Sequence, residues 1–165
     1  MIRFFIISLA FFVPQMQAPP GELIVQSTAF ANTHYIPYRY TCDGENVSPG
    51  LRITKIPSSA KSLALIMVDS SAAFGIFDHW VVWNIPVAGR IEENGRTGIT
   101  GRNSRKENKY MGPCPPNGLH EYRFRIYALD VELNLPDTAG KRILLRAMQG
   151  HILAKGELIG LFQRQ

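Results

Sequence analysis

The fold is decided by residues 110–130, YMGPCPPNGLHEYRFRIYALD. Residues 110–118 hold three prolines, two glycines and a cysteine. Proline fixes φ and lacks an N–H, so this half is a stiff loop that cannot be helical. From His120 the pattern alternates. His120, Tyr122, Phe124, Ile126 and Ala128 share one face, while Glu121, Arg123, Arg125 and Tyr127 share the other. Period-two alternation of this length is a strand with a buried and a wet face. A histidine and a phenol head the buried row, beside a rigid loop.

Working outward, Ser62 to Asp69 (SLALIMVD) is apolar on both faces, as expected of a central, covered strand ending on a carboxylate. His79 to Ile85 (HWVVWNI) is read as a second strand, with His79, Val81, Trp83 and Ile85 on one face and Trp80, Val82 and Asn84 on the other. Shorter strands are predicted at Glu22 to Ser27, Leu51 to Ile53 and Gly156 to Phe162. Gly89 to Lys109 has no periodicity and reads as surface loop. Asp137 or Thr138 can cap a late helix with Ile143, Leu144, Ala147 and Met148 on its apolar face and Gly150 as its stop. Strands dominate, with one helix near the end.

The chain has 165 residues, 45% hydrophobic and 19% charged, which suits one domain. Its net charge is +5, with the basic residues scattered. Only Arg102, Arg105, Lys106 and Lys109 group loosely, around Glu107; that is a solvated loop, so nucleic acid is not expected as a partner. Met1-Ile2-Arg3 followed by the apolar run Phe4 to Val13 has the form of a signal peptide and is too short to span a bilayer. The expectation is therefore a leader over residues 1–18, one domain over 19–165, and a periplasmic or secreted location. The two cysteines, Cys42 and Cys114, could pair as a disulfide in such a compartment or remain separate thiols. Their spacing does not suit a metal site, and no cofactor motif is visible.

The polar groups at the ends of apolar rows are the candidates for chemistry: Asp69, His79, His120 and Tyr122, with Asp43 on the turn beside Cys42. Imidazolium, phenol and backbone N–H groups of the loop Gly112–Cys114 can donate to an oxyanion, and a carboxylate can orient a histidine. The bland alternative for each histidine is a hydrogen bond to a strand-end carbonyl. An Asp/His/Tyr set also suffices for general acid–base work, as in a hydrolase, yet no activated serine or cysteine motif accompanies it. His34 and His151 read as structural, and Trp80 and Trp83 as core.

Three ordered motifs resemble the phosphatidylethanolamine-binding protein (PEBP, or Raf kinase inhibitor protein) family in its bacterial branch. They are residues 42–49 (CDGENVSP), 77–86 (FDHWVVWNIP) and 110–122 (YMGPCPPNGLHEY). The resemblance implies a mostly β fold: a two-sheet antiparallel β-sandwich with a large central sheet and a C-terminal helix packed at one side. It also implies a non-enzymatic binding protein with a small pocket for phosphate-, phosphorylethanolamine- or carboxylate-type groups. Carried over, the pocket would be Asp69, His79, Cys114, Pro115, Pro116, His120 and Tyr122, supported by Asp43, Trp80, Gly112 and Ser71. The alternative is a protein-interaction module or an inhibitor of a hydrolase or kinase, with the pocket as docking point. Peripheral contact with lipid headgroups, and a monomeric or homodimeric state, are compatible with either. One departure concerns Asp69-Ser70-Ser71-Ala72-Ala73, where the family usually has Asp-Pro-Asp-Ala-Pro. The missing prolines and second carboxylate imply a looser loop and altered ligand preference.

Overall fold

Eight consecutive buried residues, Ser62–Asp69 (β5), lie at the centre of the molecule. In a computed structural model, which describes residues 19–73 and 75–164, this strand runs antiparallel between Phe77–Ile85 (β6) and His120–Leu129 (β9). The expected leader over residues 1–18 lies outside the described residues. On the far side of β9, Ile152–Phe162 (β10) is again antiparallel. Short pieces complete the sheet: Gly21–Glu22 (β1) and His34–Tyr35 (β3) pair parallel with β10, and Ile99–Thr100 (β8) pairs with β6. The large sheet thus has seven strands among the described residues, antiparallel at its centre and parallel at one edge. Ile24–Ser27 (β2), Leu51–Thr54 (β4) and Arg90–Ile91 (β7) form a second, antiparallel sheet.

The two faces of β5 explain its uninterrupted apolar run. Leu63, Leu65 and Met67 pack with Tyr122, Phe124 and Ile126, and against Val25, Leu51, Ile53 and Ile91 of the small sheet. Ala64, Ile66 and Val68 face the other way and pack with Val81, Trp83, Leu144 and Met148. Burying both faces removes roughly 1.5–3 kcal/mol worth of apolar surface from water per large side chain. The helix, Lys141–Ala147 (α1), covers this second face.

Several boundaries differ from the sequence expectation. Glu22 to Ser27 is not one strand: the chain passes from the large sheet to the small one at Leu23, whose N–H still bonds Lys155. The segment Gly89 to Lys109 contains two strands and buries Ile91 and Asn103, so it is folded structure and not merely loop. The helix starts at Lys141 with Gly140 at its cap, and Ile143 points to solvent while Leu144 and Met148 are buried. A seven-residue helix turns too narrow a stripe to bury all four expected positions. Gly150, at φ +82°, ends it as expected.

The largest difference is inside β6. Leu65 pairs with Val82 but Leu63 with Ile85, so an extra residue sits on β6, and Asn84 takes φ +52°. Ile85 therefore joins Trp80 and Val82 in the first core, and not Val81 and Trp83. A second shift places Met67 opposite Trp80 and Val68 opposite Asp78, leaving His79 as the extra residue. A bulge re-aims the side chain it carries. His79 consequently leaves the row of Val81 and Trp83 and meets Tyr122 on the opposite face.

Candidate functional site

The antiparallel register brings three strand ends together. Asp69, the last residue of β5, is opposite Phe77 on β6 and Tyr122 on β9. Neighbouring strands lie about 4.8 Å apart, so residues near these ends, which are distant in sequence, face one cleft of about 420 Å³. Asp69, His79, Arg105, Cys114, Pro116 and His120 line it.

Asp69 is almost fully buried, and both of its carboxylate oxygens are engaged. Oδ1 accepts the Ser71 N–H at 2.8 Å and Oδ2 accepts from His120 Nδ1 at 2.7 Å. His79 is also buried, and its Nδ1 lies 2.7 Å from the Met111 carbonyl oxygen. A carbonyl only accepts, so His79 Nδ1 carries the proton and donates. The His120 contact has the same sense, because a carboxylate accepts. In the neutral state both imidazoles therefore keep an unprotonated Nε2. Burial lowers the pKa of His79 below its ordinary value, opposed by the Met111 carbonyl and the Asp69 charge. His79 thus bonds a backbone carbonyl, as the alternative had it, but one in the proline-rich loop and not at a strand end, and its other nitrogen is free of that bond.

Tyr122 is fully buried behind these rings, edge-on to His79 at 5.2 Å and stacked with His120 at 6.4 Å between centroids. Burial, and next the Asp69 charge, push its phenol pKa well above the usual value, so it is a neutral donor. Its hydroxyl makes no hydrogen bond of good geometry, although Asp69 and the Cys114 backbone are close.

The proline-rich loop is fastened on both sides. Its Met111 N–H bonds the His79 carbonyl, returning the bond that the His79 ring makes. Toward the 40–46 turn, Tyr110 donates to the Tyr40 carbonyl, Gly112 donates to Asn46 Oδ1 at 2.7 Å, and Cys42 donates to the Pro113 carbonyl. The Cys42–Cys114 disulfide, with Cα atoms 5.4 Å apart, closes the same junction, so the two thiols are paired. Gly112 is required here: a Cβ would meet the Tyr40 carbonyl oxygen and sit 2.8 Å from Asn46 Oδ1. The Asp-Gly turn and the proline loop, far apart in sequence, thus form one frame.

The remaining candidates fall away from the cleft. Pro115 is buried within the loop and does not line it, whereas Pro116 does. Trp80 packs in the core, edge-on to Tyr110 at 5.5 Å. Ser71 acts indirectly: its N–H donates to Asp69, and its hydroxyl oxygen accepts from the Glu121 N–H. Asp43 belongs elsewhere: it is ion-paired with Arg164 and lines a separate, larger groove of about 960 Å³ with Tyr35 and Tyr38. His34 and His151 are structural, bonded to Asn32 O and Asp130 Oδ1. Reasoning from sequence missed Asn46 and Arg105. The sequence signal for the first was an Asn within the turn-rich 42–49 motif, a residue type that tolerates the left-handed region Asn46 adopts at φ +58°. For Arg105 there was none, because its loop reaches the cleft only through tertiary bonds. Among the described residues no group of three His, Cys, Asp or Glu side chains is placed to hold a metal ion.

Known proteins share the sequence pattern and the fold. The family model described as phosphatidylethanolamine-binding protein matches residues 26–163. A UPF0098 protein of Pyrococcus abyssi is 41% identical over 99% of this chain and 100% of its own length. One from Methanothermobacter thermautotrophicus is 46% identical over 85% of this chain and 98% of its own. The crystal structure of a putative PEBP homologue from Chlamydia trachomatis superposes with a TM-score of 0.83 at 37% identity, covering 88% of this chain and 99% of that one. An Escherichia coli protein described as a new member of the mammalian PEBP family shares the fold, with a TM-score of 0.80 at 24% identity over 88% of this chain and 100% of its own. On the family match and these identities, the chain belongs to the phosphatidylethanolamine-binding protein family.

Proposed function

We propose that this protein binds, without catalysis, a small anionic group of the phosphate or carboxylate class in the cleft at the ends of β5, β6 and β9. The observation that carries the reading is the convergence of two buried, oriented imidazoles on one cleft, with the buried Tyr122 phenol packed behind them. Protonated imidazole, phenol and guanidinium are all donors, and an oxyanion is the ligand that needs donors. A hydrolytic reading lacks support: Asp69 is committed to His120, and the adjacent cysteine is closed in a disulfide, so no nucleophile stands beside a base. The disulfide also supports an exported protein, since such bonds persist in oxidising compartments.

The test is an NMR titration of the protein with phosphorylethanolamine, following the His79 and His120 ring signals. Saturable shifts in both rings, lost in His79→Ala, are expected. Flat ring signals up to millimolar ligand would refute the reading and turn attention to protein partners.

A further inference from the structure

Among the described residues, one permanent cation, Arg105, lines the cleft, and its placement bears on which anion is chosen. Arg105 comes from a loop tied to the strand that carries His79: the Ser104 N–H bonds the Asp78 carbonyl, and the Asp78 N–H returns a bond to Ser104 Oγ at 2.8 Å. The buried side chain of Asn103 organises the same turn, its Oδ1 accepting the N–H groups of Arg105 and Glu107 at 2.9 and 3.1 Å. Of the nearby cations, Lys109 pairs with Glu107 and Lys141 with Asp78, while Arg102 and Lys106 do not line the cleft. Arg105 makes no ion pair among the described residues. The acid lining the cleft, Asp69, is engaged by His120 and the Ser71 N–H. Both imidazoles, tied through Nδ1, lack a second proton in the neutral state. Fixed positive charge at the cleft therefore comes from Arg105.

We propose that Arg105 makes this cleft selective for a terminal phosphomonoester, a dianion with three free oxygens, over a phosphodiester or a carboxylate. The inference rests on the anion-binding reading above. Guanidinium meets phosphate through two parallel N–H bonds, and the gain grows with the charge on the ligand. A phosphomonoester carries nearly two negative charges above its second pKa of about 6. A diester keeps one charge and loses two oxygens to substituents.

The experiment is calorimetry at pH 7.5 on the folded protein, with phosphorylethanolamine as monoester, glycerophosphorylethanolamine as diester and acetate as carboxylate. The wild type should favour the monoester. Arg105→Gln should weaken the monoester about tenfold and the diester by about threefold or less, with R105K between. Arg105 is exposed, so the variant should fold, which a ¹H–¹⁵N spectrum verifies. Monoester and diester weakened equally, or neither weakened, would overturn the assignment of Arg105 and leave the anion cleft standing. No binding of any of the three to wild type would overturn both. Sedimentation with phosphatidylethanolamine vesicles separates the sources. Protein left in the supernatant agrees with a free phosphomonoester, and vesicle capture unaffected by R105Q overturns the proposal in favour of a diester headgroup.

Discussion

The sharpest consequence of the geometry concerns protons. His79 gives its Nδ1 proton to the Met111 carbonyl, and burial holds its pKa below the ordinary value. The folded, unliganded protein therefore resists a second proton that the unfolded chain accepts below about pH 6.5. Stability from this residue is present above that pH and declines as the pH falls through it. An anion at Nε2 reverses the preference, because it favours imidazolium. Binding then takes up a proton, and affinity rises as pH falls, by at most about tenfold, or about 1.4 kcal/mol, per pH unit for one imidazole. The other titratable groups that bear on the ring are Asp69, Asp78 and Tyr122, and Tyr122 stays neutral throughout. Inorganic sulfate is the probe to use, since it is a tetrahedral dianion that does not itself titrate between pH 5.5 and 7.5. Calorimetry in buffers of differing ionisation enthalpy should show net proton uptake at pH 6.5, and sulfate should raise Tm more at pH 5.5 than at 7.5. In His79→Gln both effects should shrink. Buffer-independent heats with equal Tm gains at the two pH values would refute the reasoning, as would a ¹⁵N spectrum showing the Nε2–H tautomer of His79.

Two further outcomes follow from the frame around the cleft. The Cys42–Cys114 bond spans 72 residues, so the double serine variant should lose roughly 4 kcal/mol by chain-entropy arguments, read from urea unfolding, and should weaken anion binding because Cys114 lines the cleft. Gly112→Ala places a methyl group against Tyr40 O and Asn46 Oδ1, and should cost about 1–3 kcal/mol in the same assay while shifting the His79 ring signal through Met111; an unchanged midpoint would show that the loop has room to yield.

Much of the centre was readable. Ser62–Asp69 has its expected bounds, and the buried row of β9 runs from His120 as its alternation predicts. Strong periodicity in a long strand survives because a one-residue slip would expose every apolar side chain at once. Short pieces were not readable. His34–Tyr35 and Ile99–Thr100 are strands only because β10 and β6 offer free edges beside them. The break at Leu23 depends on two sheets competing for one segment.

The candidate site divides along the same line. Residue chemistry and order marked Asp69, His79, His120 and Tyr122, because polar groups at the ends of apolar rows stand out in any alternating pattern. Which way His79 points could not be read: strict alternation puts it with Val81 and Trp83, and the bulge opposite Met67 and Val68 turns it to Tyr122. A bulge answers to twist and pairing between strands, which one strand's sequence does not carry. The removal of Asp43 to another groove, the arrival of Arg105, and the closing of Cys42 onto Cys114 all depend on contacts between segments dozens of residues apart. The sequence by itself determined the long central strands β5 and β9, the buried face of β9 and the polar groups at the strand ends, since those follow from local periodicity. The tertiary structure alone decided which of these groups meet, because cross-strand register and loop anchoring are properties of pairs.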